Sequence, residues 1–128
     1  NSNATTSHVV IVAGTAIYYY SSGDWAAITG STTITSGNDN TWEWVNADGT
    51  FVMTNGVDTD AIKWTGSGNA SALDDDARFT KGRHIAWFDN RLWIGNVNGA
   101  TGQLWHSDIA DIETWGATSF ISGELYGG

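Results

Sequence analysis

His84-Ile85-Ala86-Trp87-Phe88-Asp89-Asn90-Arg91-Leu92-Trp93-Ile94-Gly95 reads as two strands around a tight turn. Aromatic and β-branched residues, which fit a pleated surface, flank a dipeptide that tolerates the positive φ of a two-residue hairpin loop. The plan occurs twice upstream. Val9-Val10-Ile11-Val12 meets Ala13-Gly14-Thr15, and Ala16-Ile17-Tyr18-Tyr19-Tyr20 returns. Trp42-Glu43-Trp44-Val45 meets Asn46-Ala47-Asp48-Gly49, and Thr50-Phe51-Val52-Met53-Thr54 returns. A looser loop and a Trp-bearing strand follow each hairpin.

With Gly14, Gly49 and Asn90 as equivalent turn positions, the spacings are about 35 and 41 residues, near the ~40-residue blade of a propeller. Two echoes support a repeat. Asp24-Trp25-Ala26-Ala27-Ile28-Thr29 is similar to Thr114-Trp115-Gly116-Ala117-Thr118-Ser119, and Tyr18-Tyr19-Tyr20-Ser21 to Gln103-Leu104-Trp105-His106-Ser107. The predicted fold is all-β: antiparallel β-meander repeats, β-propeller-like, with blades at residues 8–30, 41–68 and 83–120 of a single unit spanning 1–128. A β-sandwich is the alternative, because short strands and regular turns give a similar texture. Residues 31–40 and 66–81 read as long connections and 96–102 as a hairpin tip. Propellers need at least about four blades. The blade reading therefore expects either a longer chain, of which this is a fragment, or copies that associate as a homo-oligomer. A start at Asn1 rather than Met suits a processed chain or an internal segment.

Composition narrows the partners. The 128 residues include 8 Trp, 16 Gly, no Pro and no Cys, so disulfides and thiolate metal sites are excluded. The formal net charge of −9 works against nucleic-acid phosphates and anionic membrane surfaces, so neither sequence-specific nucleic-acid binding nor membrane insertion is expected.

Candidate chemistry is sparse. His8, His84 and His106 lie on separate segments without the spacing of a zinc site, which makes structural roles the expectation. Asp74, Asp75 and Asp76 are weak candidates for Ca²⁺, as are Asp58 with Asp60 and Asp108 with Asp111, but none follows an ordered loop template. Asp74-Asp75-Asp76 before Ala77-Arg78 equally suits the acidic start of a helical turn. No cofactor is expected. There is no Gly-x-Ser-x-Gly, Gly66-Ser67-Gly68 lacks the Lys and Ser or Thr of a phosphate loop, and no carboxylate pair carries a glycosidase signature. Catalysis is not expected.

Tryptophan is the feature with most to say. Period two puts Trp42 and Trp44 on one strand face, as core residues, and Trp87 with Trp93 at facing strand ends. Trp64, Trp105 and Trp115 lie near loops and chain-end strands, so they are the predicted exposed set, available to stack on a glycan or to touch a protein partner. Arg78, Arg83 and Arg91, with Lys81, gather the positive charge and are expected to meet Asp74, Asp75 and Asp76 or a neighbouring subunit.

Several stretches in order resemble a known family. Tyr18-Tyr19-Tyr20-Ser21-Ser22-Gly23-Asp24-Trp25, then Thr54-Asn55-Gly56-Val57-Asp58 with Lys63-Trp64-Thr65-Gly66, then Asp89-Asn90-Arg91-Leu92-Trp93-Ile94, and finally the run from Leu104 through Ser107-Asp108-Ile109-Ala110-Asp111-Ile112-Glu113-Thr114 to Trp115, resemble propeller-type tail proteins of tailed bacteriophages. The likeness spans residues 9–119; the family's Pro in the last element is replaced by Ile112. Members are usually longer. The resemblance implies a structural part of the virion, a tail nozzle or hub that forms a ring around the DNA channel, with other tail subunits as partners. The alternative is a glycan-binding, lectin-like adhesin outside the cell, which meets cell-surface sugar through exposed Trp.

Overall fold

The computed structural model describes residues 7–37, 40–73, 80–98 and 100–123. Asp74, Asp75, Asp76 and Arg78, with the helical turn expected there, lie outside the described residues. The chain is all-β. Strands β1 (Val10–Ala13), β2 (Ala16–Ser21) and β3 (Asp24–Ala27) make a first sheet. A second sheet holds β4 (Glu43–Ala47), β5 (Thr50–Thr54), β6 (Ile62–Trp64) and β7 (Ser71–Ala72). The third holds β8 (His84–Phe88), β9 (Arg91–Val97), β10 (Ala100–His106) and β11 (Phe120–Ser122). In each sheet the strands pair antiparallel in chain order.

The turns explain this order. Asp48 and Gly49 have φ of 49° and 87°, Asp89 and Asn90 of 52° and 54°, Ser22 and Gly23 of 53° and 91°. Both central residues of each loop are left-handed, the geometry whose twist matches that of the flanking strands. Asn46 Oδ1 fixes one of these turns by accepting the Gly49 N–H at 2.7 Å. Between β1 and β2 only Gly14 is left-handed, at φ 61°. Gly14 therefore corresponds to Asp48 and Asp89, one residue earlier than the turn alignment made on sequence.

The sheets stack face to face with the second in the middle. One core joins Ile17, Ile28 and Ile34 to Met53, Ile62, Trp64 and Ala70. The other joins Ala47, Val52, Ala61 and Leu73 to Leu92, Ile94, Val97, Trp105 and Trp115. Pleating sends Val52 to one core and its neighbour Met53 to the other, so the middle sheet is apolar on both sides. Each large aliphatic side chain buried there contributes about 1.5–3 kcal/mol. Close approach also matters: a Cβ on Gly82 would lie 2.3 Å from Ile94 Cγ2. Three layers are one more than a sandwich holds.

Some expectations need correcting. The connection read over residues 66–81 contains an edge strand, β7, which pairs Ser71 with Lys63 and Ala72 with Ile62. The tip read over 96–102 is shorter, because β9 runs to Val97 and β10 starts at Ala100. Trp25 and Trp115 are not equivalent: the first stands exposed in β3, the second is buried outside any strand.

Candidate functional site

The stretches with the most specific sequence pattern form structural corners. Asn55, buried after β5, accepts the N–H groups of Val57 and Asp58 at 2.9 Å each on Oδ1 and donates through Nδ2 to Asp58 Oδ2 at 2.8 Å. Asp58 Oδ1 in turn accepts the Thr35 N–H at 2.9 Å. Gly82 O closes the corner, accepting from Gly56 N at 2.9 Å and from the Thr54 hydroxyl. The carboxylate of Asp58 is therefore spent on tying the loop after β3 to the middle sheet.

The second corner runs from Ser107 to Trp115. Ser107 is fully buried; its hydroxyl accepts the Leu92 N–H and donates to Asp108 O, both at 3.0 Å. Asp111 accepts the Glu113 N–H and the Thr114 hydroxyl at 2.9 Å each. The Glu113 N–H and the Thr114 hydroxyl, with a smaller backbone contribution from Thr114, outweigh the opposing effect of burial and hold the Asp111 carboxyl below its ordinary pKa. Glu113 pairs with Lys63, which links the corner to β6. Among the described residues no three His, Asp or Glu side chains are grouped to hold a metal ion.

The tryptophans require the largest correction. Trp64, Trp105 and Trp115, expected at the surface, are 3%, 7% and 3% exposed. Their indole N–H groups are satisfied nearby: Trp64 on Gly68 O at 3.1 Å, Trp105 on Gln103 Oε1 and Trp115 on Ile112 O at 3.0 Å. A local acceptor removes the desolvation cost that would have kept an indole near water. Trp44, expected in the core, is 64% exposed instead, and Trp25 is also at the surface. Trp87 and Trp93 stand opposite Leu92 and Ala86, hence on opposite faces of the third sheet. Trp87 packs on the inner core, and Trp93 lies outside against His106, ring centres 4.9 Å apart.

Among the described basic residues, Arg83 and Arg91 do not converge. Arg83 precedes β8 and Arg91 follows its far end, so a strand of about 17 Å separates them. Arg91 Nη1 donates to Ser107 O at 2.7 Å and lies 3.2 Å from His106 Nδ1. Between the sheets, β4 lies beside β8. There Glu43 meets His84 Nδ1 at 2.9 Å and accepts the Ile85 N–H at 3.2 Å. Burial raises the Glu43 pKa, but the His84 and Ile85 hydrogen bonds, with the charges of His84 and Arg83, outweigh it and leave the carboxyl below its ordinary value.

Among the described residues, three surfaces present exposed aromatic rings to a partner. Where β1 and β4 diverge, a cleft of about 790 Å³ opens between the first two sheets, lined by His8, Trp44, Asn46, Phe51, Trp64 and Thr65 among others. The outer face of the third sheet carries Phe88, Trp93, Leu104 and Ile121 over a groove of about 370 Å³. The outer face of the first sheet carries Val9, Ile11, Tyr20 and Trp25, all exposed. Period-two reading could have found the two outer faces, since the first and third sheets have apolar residues at odd and even positions alike. Among the described residues no helix is long and apolar enough to cross a membrane. Comparison with known protein families, with curated proteins and with solved structures finds no match.

Proposed function

We propose that this chain is a non-enzymatic structural protein of a phage tail, a nozzle or hub component that works as a run of propeller-like blades through protein–protein contacts in the virion. One observation carries the reading. The terminal sheets are apolar on the side that faces away from the stack, with Phe88, Ile121 and Leu104 exposed at 72%, 57% and 41% on one end and the Tyr20–Trp25 pair exposed on the other. An antiparallel sheet covered on one side normally alternates apolar with polar residues. These two do not, and so resemble the middle sheet, which is covered on both sides. More sheets on each end would complete the pattern, and a second copy of the chain supplies them by setting its first sheet against the third sheet of its neighbour.

Two further features support blades. Successive meanders stack in chain order, and the first strands of the second and third sheets lie side by side. The two corners that carry the family resemblance hold neighbouring sheets together, as a structural protein requires.

The test is the native mass of the assembly beside that of the single chain. A discrete ring, or an ordered stack of copies, is the expected result. A monomer that stays soluble and stable across concentration overturns the proposal, because both apolar faces would then be at rest in water.

A further inference from the structure

We propose that the cleft between β1 and the middle sheet binds a neutral oligosaccharide, with Trp44 as its stacking platform. Trp44 and Asn46 on β4 and Phe51 on β5 share the face of the middle sheet turned toward the first. The first sheet covers Met53, Ile62 and Trp64 but stops short of Trp44. Trp44 is thus exposed although it belongs to a packed face.

Its ring is not loose. Phe51 lies beneath it, ring centres 5.7 Å apart and planes within 29°. A backed indole presents a flat, apolar face at little further cost in side-chain entropy, which is what the C–H face of a pyranose requires. Asn46, one pleat along the strand, has its carbonyl oxygen occupied by the Gly49 N–H at 2.7 Å. That bond fixes the amide plane and directs its NH₂ as the remaining donor, suited to a hydroxyl oxygen. His8 stands on the opposite wall, its ring edge-on to Trp64 at 5.0 Å. Platform, amide and imidazole therefore border one opening whose volume, about 790 Å³, falls within the ordinary range of ligand clefts.

Charge selects the ligand class. In a chain of net charge −9, no Asp, Glu, Lys or Arg lines this cleft among the described residues. An anionic sugar would find no cation to pair with and a negative surface around it, so a neutral one is favoured. An apolar peptide would be better served by the outer face of the third sheet. The cleft lies within one chain, so the inference stands apart from the assembly of copies.

The experiment is titration of the intact chain with maltohexaose, cellohexaose and hexa-N-acetylchitohexaose, followed by calorimetry and tryptophan fluorescence, with an oligogalacturonate as the anionic control. At least one neutral hexamer is expected to bind saturably. Trp44→Ala should weaken it by about tenfold or more, while Trp25→Ala leaves it unchanged. Asn46→Ala should weaken it by a smaller factor, and an unshifted melting temperature for each variant separates loss of binding from loss of fold. Absence of binding by all three neutral hexamers up to about 10 mM, equal binding by Trp44→Ala, or preference for the oligogalacturonate would each overturn the proposal.

Discussion

If copies associate through the outer sheets as proposed, replacing Phe88 with Lys should abolish that association while leaving the folded chain almost untouched. Phe88 is 72% exposed at the rim of the third sheet, so its ring makes little contact within its own chain. Full burial of a Phe side chain is worth about 1.5–3 kcal/mol, and the uncovered fraction leaves about 1–2 kcal/mol to be gained at each contact between copies. At 1.4 kcal/mol per tenfold, loss of the ring alone weakens association by roughly five- to thirtyfold. An ammonium placed against Trp93, Leu104 and Ile121 adds a desolvation cost. The combined loss should reach about a hundredfold or more. For the isolated chain the change should stay within about 0.5 kcal/mol, as for other surface substitutions. Leu92→Ala supplies the contrast: Leu92 is fully buried, and its truncation should cost about 2–5 kcal/mol. Sedimentation velocity across a concentration series reads the first effect and thermal melting the second. The reasoning is refuted if Phe88→Lys sediments like the parent, or if it lowers the melting temperature as far as Leu92→Ala does.

Three other outcomes follow from contacts within the chain. Gly82→Ala should cost about 1–3 kcal/mol, because the new methyl must displace the fully buried Ile94; an unchanged melting temperature would show that Ile94 has room to move. Asn55→Ala should cost about 2–4 kcal/mol in urea titration, since it strips a buried carboxylate and a buried N–H of their partner; a loss under about 0.5 kcal/mol would remove the corner's structural role. Because the Glu43 pKa is lowered in the fold, its contribution is present above the ordinary Glu value of about 4.3 and is lost as pH falls through the lower, folded value. Glu43→Gln should therefore melt with a shallower acid dependence between about pH 5 and 3, a difference that parallel curves would disprove.

The hairpins were legible because their signal is local: Asp48-Gly49 and Asp89-Asn90 can take positive φ where bulkier pairs resist it. Three meanders in chain order follow almost directly. What stayed hidden is which face of a strand meets water. Period two reveals orientation only when one face is polar, and in β4 the run Glu43-Trp44-Val45 gives no such contrast. Trp44 and Trp64 therefore exchanged places between expectation and structure, and with them the candidate cleft. The burial of Trp105 depends on Gln103, two residues away, whose amide accepts its indole N–H. The corner from Ser107 to Trp115 was visible as a pattern, but its purpose lies in contacts with Leu92 and Lys63, distant in sequence.

In the proposed assembly, the chemistry of the two outer faces favours one way for copies to meet. Arg91 borders the apolar face of the third sheet, so a two-fold axis that brought two such faces together would set guanidinium near guanidinium. The strands of the first sheet carry no Lys, Arg or His, so pairing unlike faces avoids that repulsion. Pairing unlike faces also continues the order of stacking already present inside the chain. Such a contact is heterologous and extends until it closes into a ring or grows as a filament. Complementation distinguishes it from a two-fold dimer. Phe88→Lys keeps an intact first sheet, and Trp25→Lys keeps an intact third sheet. Each alone should remain a single chain, and an equimolar mixture should form a one-to-one complex that grows no further, since only the two damaged faces are left. A two-fold dimer through the third sheet would behave otherwise: Trp25→Lys would associate without help, and that result would overturn the head-to-tail reading while keeping the third sheet as the contact.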